Sequence, residues 1–154
     1  MKINKKRGNR MWGLIIALIS GALMSIQGVF NTGVTKETGI WIAAGFVQFS
    51  AMLVCIAAWF FTGKEGAIGD LWKIDNKYML LGGVIGAFIT YTVIKSMELL
   101  GPAKSVMLIV TAQVLIAYII ELVGIWGVEK AEFQWRKLIG LVIAIAGIIT
   151  FKWE

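Results

Sequence analysis

The sequence has no histidine, one proline (Pro102) and one cysteine (Cys55) in 154 residues. Each scarcity excludes something. Without His there is no imidazole general base, no His metal ligand and no Ser-His-Asp triad. One cysteine forms neither an intramolecular disulfide nor a thiolate metal cluster. Cys55 lies in an apolar run and reads as a small buried hydrophobe rather than a nucleophile. No phosphate-cradling glycine motif is present, so this chain alone is not expected to use ATP. Neither a cofactor nor a metal site is expected. Charge is scarce too: 16% of residues are charged against 58% hydrophobic. A soluble domain of this size needs a larger polar surface.

What is present is a set of long apolar runs, and the lipid bilayer is their expected surroundings. Residues 78–124 hold two runs of about 22 residues, each long enough to cross a hydrocarbon core of about 30 Å. Gly101-Pro102 breaks them sharply, because proline neither continues a helix nor leaves its predecessor free. This reads as a tight transmembrane hairpin. The whole chain divides into a basic tail (1–10) and a single transmembrane domain (11–153). The domain's five helices are expected near 11–30, 40–62, 78–100, 103–124 and 136–153. The first is read as a retained helix, since the NTGVTKETG that follows Phe30 offers no signal-peptide cleavage site. Residues 31–39 read as a polar loop. Trp41 and Trp59-Phe60-Phe61 fit the two aromatic belts of a span. In the loop 63–76, Ala67-Ile68 and Leu71-Trp72 suit a short amphipathic turn on the membrane surface. Asp70 and Asp75 there lack calcium-loop spacing and read as solvated.

Small residues recur at helical spacing, where a second helix can approach closely. Gly13, Ala17 and Gly21 form one such stripe, Gly82 and Gly86 a GxxxG pair, and Gly140 and Gly147 a seam on the last helix. Polar side chains inside the spans are the candidates for a solute path, because they are costly in lipid. These are Gln27, Asn31, Gln48, Tyr91, Lys95, Gln113 and Glu121. Each has a plainer reading. Gln27 suits an interhelical hydrogen bond. Lys95 can pair with Glu98, three residues on, and snorkel to the headgroups. Glu121, near the end of the fourth helix, is either interfacial or an inward-facing cation or proton site.

The net charge of +6 sits in segments that flank apolar runs. That is how topology determinants are placed, and nucleic-acid binding is not expected. With the amino terminus inside, eleven of the 15 Lys and Arg fall on the inner side. The carboxyl terminus is then outside.

Several residues, taken in order, carry a likeness. Gln27-Gly28 with Asn31 closes the first helix, and Gly82-Gly83 with Gly86-Ala87 lies in the third. Leu100-Gly101-Pro102 stands at the turn, Gln113 in mid-helix, Glu121 and Gly124 at that helix's end, and Arg136 ahead of Gly140 and Gly147. Together they resemble the YdcZ-like five-helix membrane proteins of the drug/metabolite transporter superfamily, over nearly the whole chain after its basic tail. The resemblance implies an all-α integral membrane protein, half of a ten-helix transporter, in the bacterial cytoplasmic (inner) membrane. It implies export of a small metabolite or drug-like solute by alternating access of a dimer, the partner being an identical chain or a related five-helix subunit. One departure matters. Small multidrug exporters of the superfamily use a carboxylate in the first helix, and residues 11–30 contain no Asp or Glu. Proton exchange through such a group is not carried over. The alternative to a transporter is a non-transporting membrane subunit that partners another protein. A membrane enzyme is disfavoured, since paired acids and a metal-ligand cluster are missing.

Overall fold

The computed structural model describes residues 2–63 and 66–152, with side chains over 11–63 and 66–151. Met1 and the side chains of Lys2, Lys5, Lys6, Arg7, Arg10, Lys64 and Lys152 lie outside the described residues. Those contributions to the charge asymmetry therefore rest on sequence, whereas the backbone of the expected tail is helical from Lys2 and continuous with the first helix, which begins nine residues before its expected start at 11. Regular structure among the described residues is helical throughout: α1 (Lys2–Thr38), α2 (Ile40–Phe61), α3 (Gly82–Leu100), α4 (Pro102–Val123) and α5 (Trp135–Lys152). Among the described residues, four stretches are long and apolar enough to cross a bilayer: Met11–Thr38, Ile40–Phe61, Lys77–Leu100 and Pro102–Val123. The fifth helix has 18 residues, about 27 Å at 1.5 Å per residue.

The first helix outruns its expected end at residue 30, and the expected polar loop 31–39 is helical as far as Thr38. The reason is local. Thr32, Thr35 and Thr38 each donate a hydroxyl hydrogen bond to the carbonyl one turn back, on Gly28, Asn31 and Val34 at 2.8, 2.8 and 3.0 Å. Residues that look like loop formers are thus satisfied inside the helix. Gly39 makes the break, at φ 86° and ψ 156°. Gly101 makes the break between α3 and α4 in nearly the same conformation, φ 79° and ψ 161°. A side chain rarely adopts that region, so one glycine suffices to stop each helix and start the next. Pro102 then supplies the first residue of α4, where no amide hydrogen is needed.

The chain divides into two compact units, Met1–Leu99 and Leu100–Glu154. In the first, α1 packs along α2. Ala43, Ala44, Ile94 and Met97 are buried. Gly28 on α1 leaves room for the Met97 side chain of α3, which a Cβ at that position would run into. The α2–α3 connection folds into two short 3₁₀ helices, Ile68–Lys73 and Lys77–Leu81. The first leaves Ile68, Leu71 and Trp72 exposed together, as a membrane-surface turn requires.

In the second unit α4 packs on α5. Gly124 caps α4 in the left-handed conformation. Trp126 and Gly127 also take positive φ, 58° and 83°. These turns fold the connection back, so that the Ala131 N–H bonds the Glu121 carbonyl at 2.8 Å. The largest apolar side chains point outward in both units, with Leu18 75% and Phe61 91% exposed. Such a surface would drive association in water and is the ordinary surface of a protein in lipid.

Candidate functional site

One cleft of the first unit lies between α1 and α2, with a volume of about 560 Å³. Gln27 and Asn31 are one helical turn apart, so they share the face of α1 that lines it. Phe30, Phe46, Ser50 and Cys55 also line it. A second cavity of about 420 Å³ shares Gln27, Phe30 and Asn31. Asn31 is only 8% exposed. Its backbone carbonyl accepts from Thr35, whereas its side-chain amide has no hydrogen-bond partner among the described residues. Ser50 donates to the Val47 carbonyl at 3.0 Å, which leaves its oxygen free to accept. Cys55, expected to be buried, is exposed. It lies on the cleft face of α2, where no neighbouring helix of this unit covers it.

Gln48 and Tyr91 stand elsewhere, at the contact between α2 and α3. Gln48 donates to Thr90 at 3.5 Å, and its amide nitrogen would lie 3.4 Å from a Cβ at Gly86. Tyr91 stacks on Trp41, ring centres 4.8 Å apart. At the end of α3 Lys95 pairs with Glu98 at 3.2 Å, the i,i+3 partnership its spacing suggests. The small residues Gly13, Gly21, Gly82, Gly140 and Gly147 have no atom within 4 Å of where a Cβ would stand.

The second unit has its own cleft, of about 370 Å³, with an apolar floor of Val114, Ala117, Leu141 and Ala144. Glu121 from α4 and Lys137 from α5 lie at its rim, 2.7 Å apart. The Lys137 ammonium also sits 5.3 Å from the centre of the Tyr118 ring, and the Tyr118 hydroxyl accepts from the Gln134 N–H at 3.1 Å. The carboxylate is thus already engaged by a cation of the chain. Gln113, on α4, is exposed and lines neither cleft. The structure therefore brings Gln27 and Asn31 together, joins Gln48 and Tyr91 to a helix contact, and gives Lys95 and Glu121 ion-pair partners. Thr35, Ser50, Lys137 and Gln134 were not among the expected site residues. The signal that could have found Ser50 is its polarity in an apolar run, matching Gln27 and Asn31.

Outside the spans, Asp70 accepts from Lys73 at 2.7 Å and from the Ala67 N–H at 3.0 Å. These bonds, Lys73 first, hold its carboxyl below the ordinary aspartate value. Among the described residues no three His, Cys, Asp or Glu side chains are grouped to hold a metal ion.

The family model described as "Putative inner membrane exporter, YdcZ" matches residues 12–150. No curated protein and no solved structure gives a significant match.

Proposed function

Since the chain belongs to the YdcZ family of inner-membrane exporters, we propose that it exports a small metabolite or drug-like solute by alternating access, as one half of a paired transporter. An exporter of the inner membrane needs a way for its solute through the apolar spans. The observation that carries this reading is the α1–α2 cleft, where Gln27 and the nearly buried Asn31 present amides to a cavity of about 560 Å³. That volume lies within the range of small-molecule sites. Gln48, Tyr91 and Lys95 in the first unit, and Gln113 and Glu121 in the second, are kept as further path candidates of this reading.

One five-helix domain makes half of such a transporter, and sites of this kind form between repeats. The second half is a second copy of the chain or a related subunit. The open faces at Gly13-Ala17-Gly21, at Gly82 and at Gly140-Gly147 let another helix approach closely, whereas Gly86 of the expected Gly82-Gly86 pair already faces Gln48. The amino terminus is assigned to the cytoplasm by the positive charges and the carboxyl terminus to the outside.

The test is uptake of a panel of neutral and charged solutes into vesicles holding the purified chain. Gln27→Ala and Gln113→Ala are expected to slow it, and unchanged transport in both removes them from the path. Pairing is read by crosslinking single cysteines placed over 140–147 in a Cys55→Ser background, with a reporter on the carboxyl terminus. Self-crosslinks indicate a homodimer. An outside terminus without self-crosslinks indicates a different partner chain. The same open faces also suit a non-transporting accessory subunit, and transport by the purified chain alone excludes that reading.

A further inference from the structure

The α1–α2 cleft also narrows the solute, on the reading that the chain is a transporter. Polar side chains in a membrane span are normally satisfied by the protein itself. Ser25, Thr32 and Thr35 on α1 follow that rule, each bonded to a carbonyl one turn back. Asn31 does not. Its amide is held in a position only 8% exposed, lines both cavities beside α1, and has no partner among the described residues. Gln27, one turn earlier, likewise makes no hydrogen bond among them and lines the same two cavities. Ser50 adds an acceptor from α2. The amide atoms of Asn31 are not enclosed, the one buried orphan among the described residues being the Ser105 hydroxyl, so a ligand in the cavity can reach them and supply the missing partner.

What is missing from the lining decides the class of ligand. No Lys, Arg, Asp or Glu lines either cavity. A charged solute drawn there would lose its water and meet no counter-charge. Phe30 and Phe46 offer flat apolar surface instead. The second unit does not supply a free counter-charge at its own cleft, because Glu121 already holds Lys137.

We propose that the α1–α2 cleft binds an uncharged solute with a donor–acceptor edge, such as an amide, on a flat apolar body. Asn31 and Gln27 hold the edge, and Phe30 and Phe46 cover the body.

The test uses the full chain in lipid nanodiscs and three probes of one shape: indole-3-acetamide (neutral), indole-3-acetate (anionic) and tryptamine (cationic). Binding is followed by ligand-observed NMR and titration. The amide is expected to bind at least tenfold more tightly than either ion. Asn31→Leu is expected to weaken it about tenfold, the size of one lost hydrogen bond to a site built for it. Gln27→Leu, at an exposed position where folding is not at risk, is expected to weaken it severalfold. Binding of either ion as tight as the amide overturns the proposal, as does no binding of the amide at millimolar concentration, or full affinity in both variants. Binding of the amide without its transport leaves this site standing and overturns the transporter reading. Transport with a preference for an ion does the reverse.

Discussion

The Lys137 ammonium and the Glu121 carboxylate meet at 2.7 Å across α4 and α5, with the Tyr118 ring beneath the ammonium. Lys137 and Glu121 are 42% and 44% exposed, respectively. An ion pair so open to its surroundings adds little to stability, and less as salt rises. Glu121→Gln should therefore lower the unfolding temperature in detergent only slightly, and added salt should shrink the difference. Thermal unfolding of the single variants and of Glu121→Gln/Lys137→Gln measures the coupling. A large loss of stability that salt leaves unchanged would contradict the exposed geometry.

Gly28 on α1 faces the Met97 and Val93 side chains of α3. A Cβ there would meet the Met97 thioether sulfur at 2.8 Å and Val93 at 3.5 Å. Gly28→Ala asks only the flexible end of Met97 to move, and should cost about 1 kcal/mol or less. Gly28→Leu has no such room and should lower stability by about 2 kcal/mol or more. Gly28→Leu/Met97→Ala should recover part of the loss. Unfolding in detergent followed by circular dichroism distinguishes these outcomes. Equal stability of Gly28→Leu and the parent chain would contradict the contact.

Gly39 and Gly101 hold backbone conformations that side chains avoid, so alanine at either should cost about 1–3 kcal/mol. Gly124→Ala should be worse, because its φ is 72° and a Cβ would also stand 3.1 Å from the Lys130 Cα. Gly33 provides the contrast. It lies inside α1 with nothing within 4 Å of a Cβ, so Gly33→Ala should be neutral or stabilising by up to about 1 kcal/mol. Denaturation midpoints of the four variants test this order.

Asp70 carries the pH dependence of the α2–α3 connection. Its bonds to Lys73 and the Ala67 N–H favour the ionised carboxylate and lower its pKa. The stabilisation is therefore complete above the unfolded-state value, about 3.9, and is lost as pH falls through the lower folded-state value. NMR titration of the Asp70 carboxyl should give a midpoint below that of an ordinary aspartate. Asp70→Asn should speed hydrogen exchange in the 3₁₀ helix Ile68–Lys73 at neutral pH. A midpoint at or above the ordinary value would contradict the pairing.

Hydropathy and the Gly101-Pro102 break made the last four helices legible to within a few residues, because each is an apolar run bounded by polar or breaking residues. The end of α1 was not legible. Asn31, Thr32, Thr35 and Thr38 depress hydropathy as a loop does, and only their bonds to carbonyls one turn back show that they belong to a helix. Gln27, Asn31 and Glu121 were visible as polar residues in apolar runs. Their partners were not. Lys137 reaches Glu121 over 16 residues, through a connection whose path depends on the positive φ of Gly124, Trp126 and Gly127. The Trp41–Tyr91 stack depends on how α2 and α3 meet. Cys55 looked buried because apolar neighbours in sequence say nothing about which face of α2 lacks a covering helix.

The most direct measurement of whether the α1–α2 cleft carries solute uses the chain's one cysteine. Cys55 lines that cleft, and no other thiol competes with it. Intact membrane vesicles holding the full chain are treated with an uncharged, sugar-linked methanethiosulfonate that does not cross membranes, and modification of Cys55 is read by mass spectrometry. Thiolate chemistry needs water at the sulfur. A water-filled cleft predicts modification in intact vesicles, slowed by indole-3-acetamide. Modification only after the membrane is dissolved in detergent would mean that this face of α1 and α2 lies against lipid or a partner helix, and that the solute passes elsewhere.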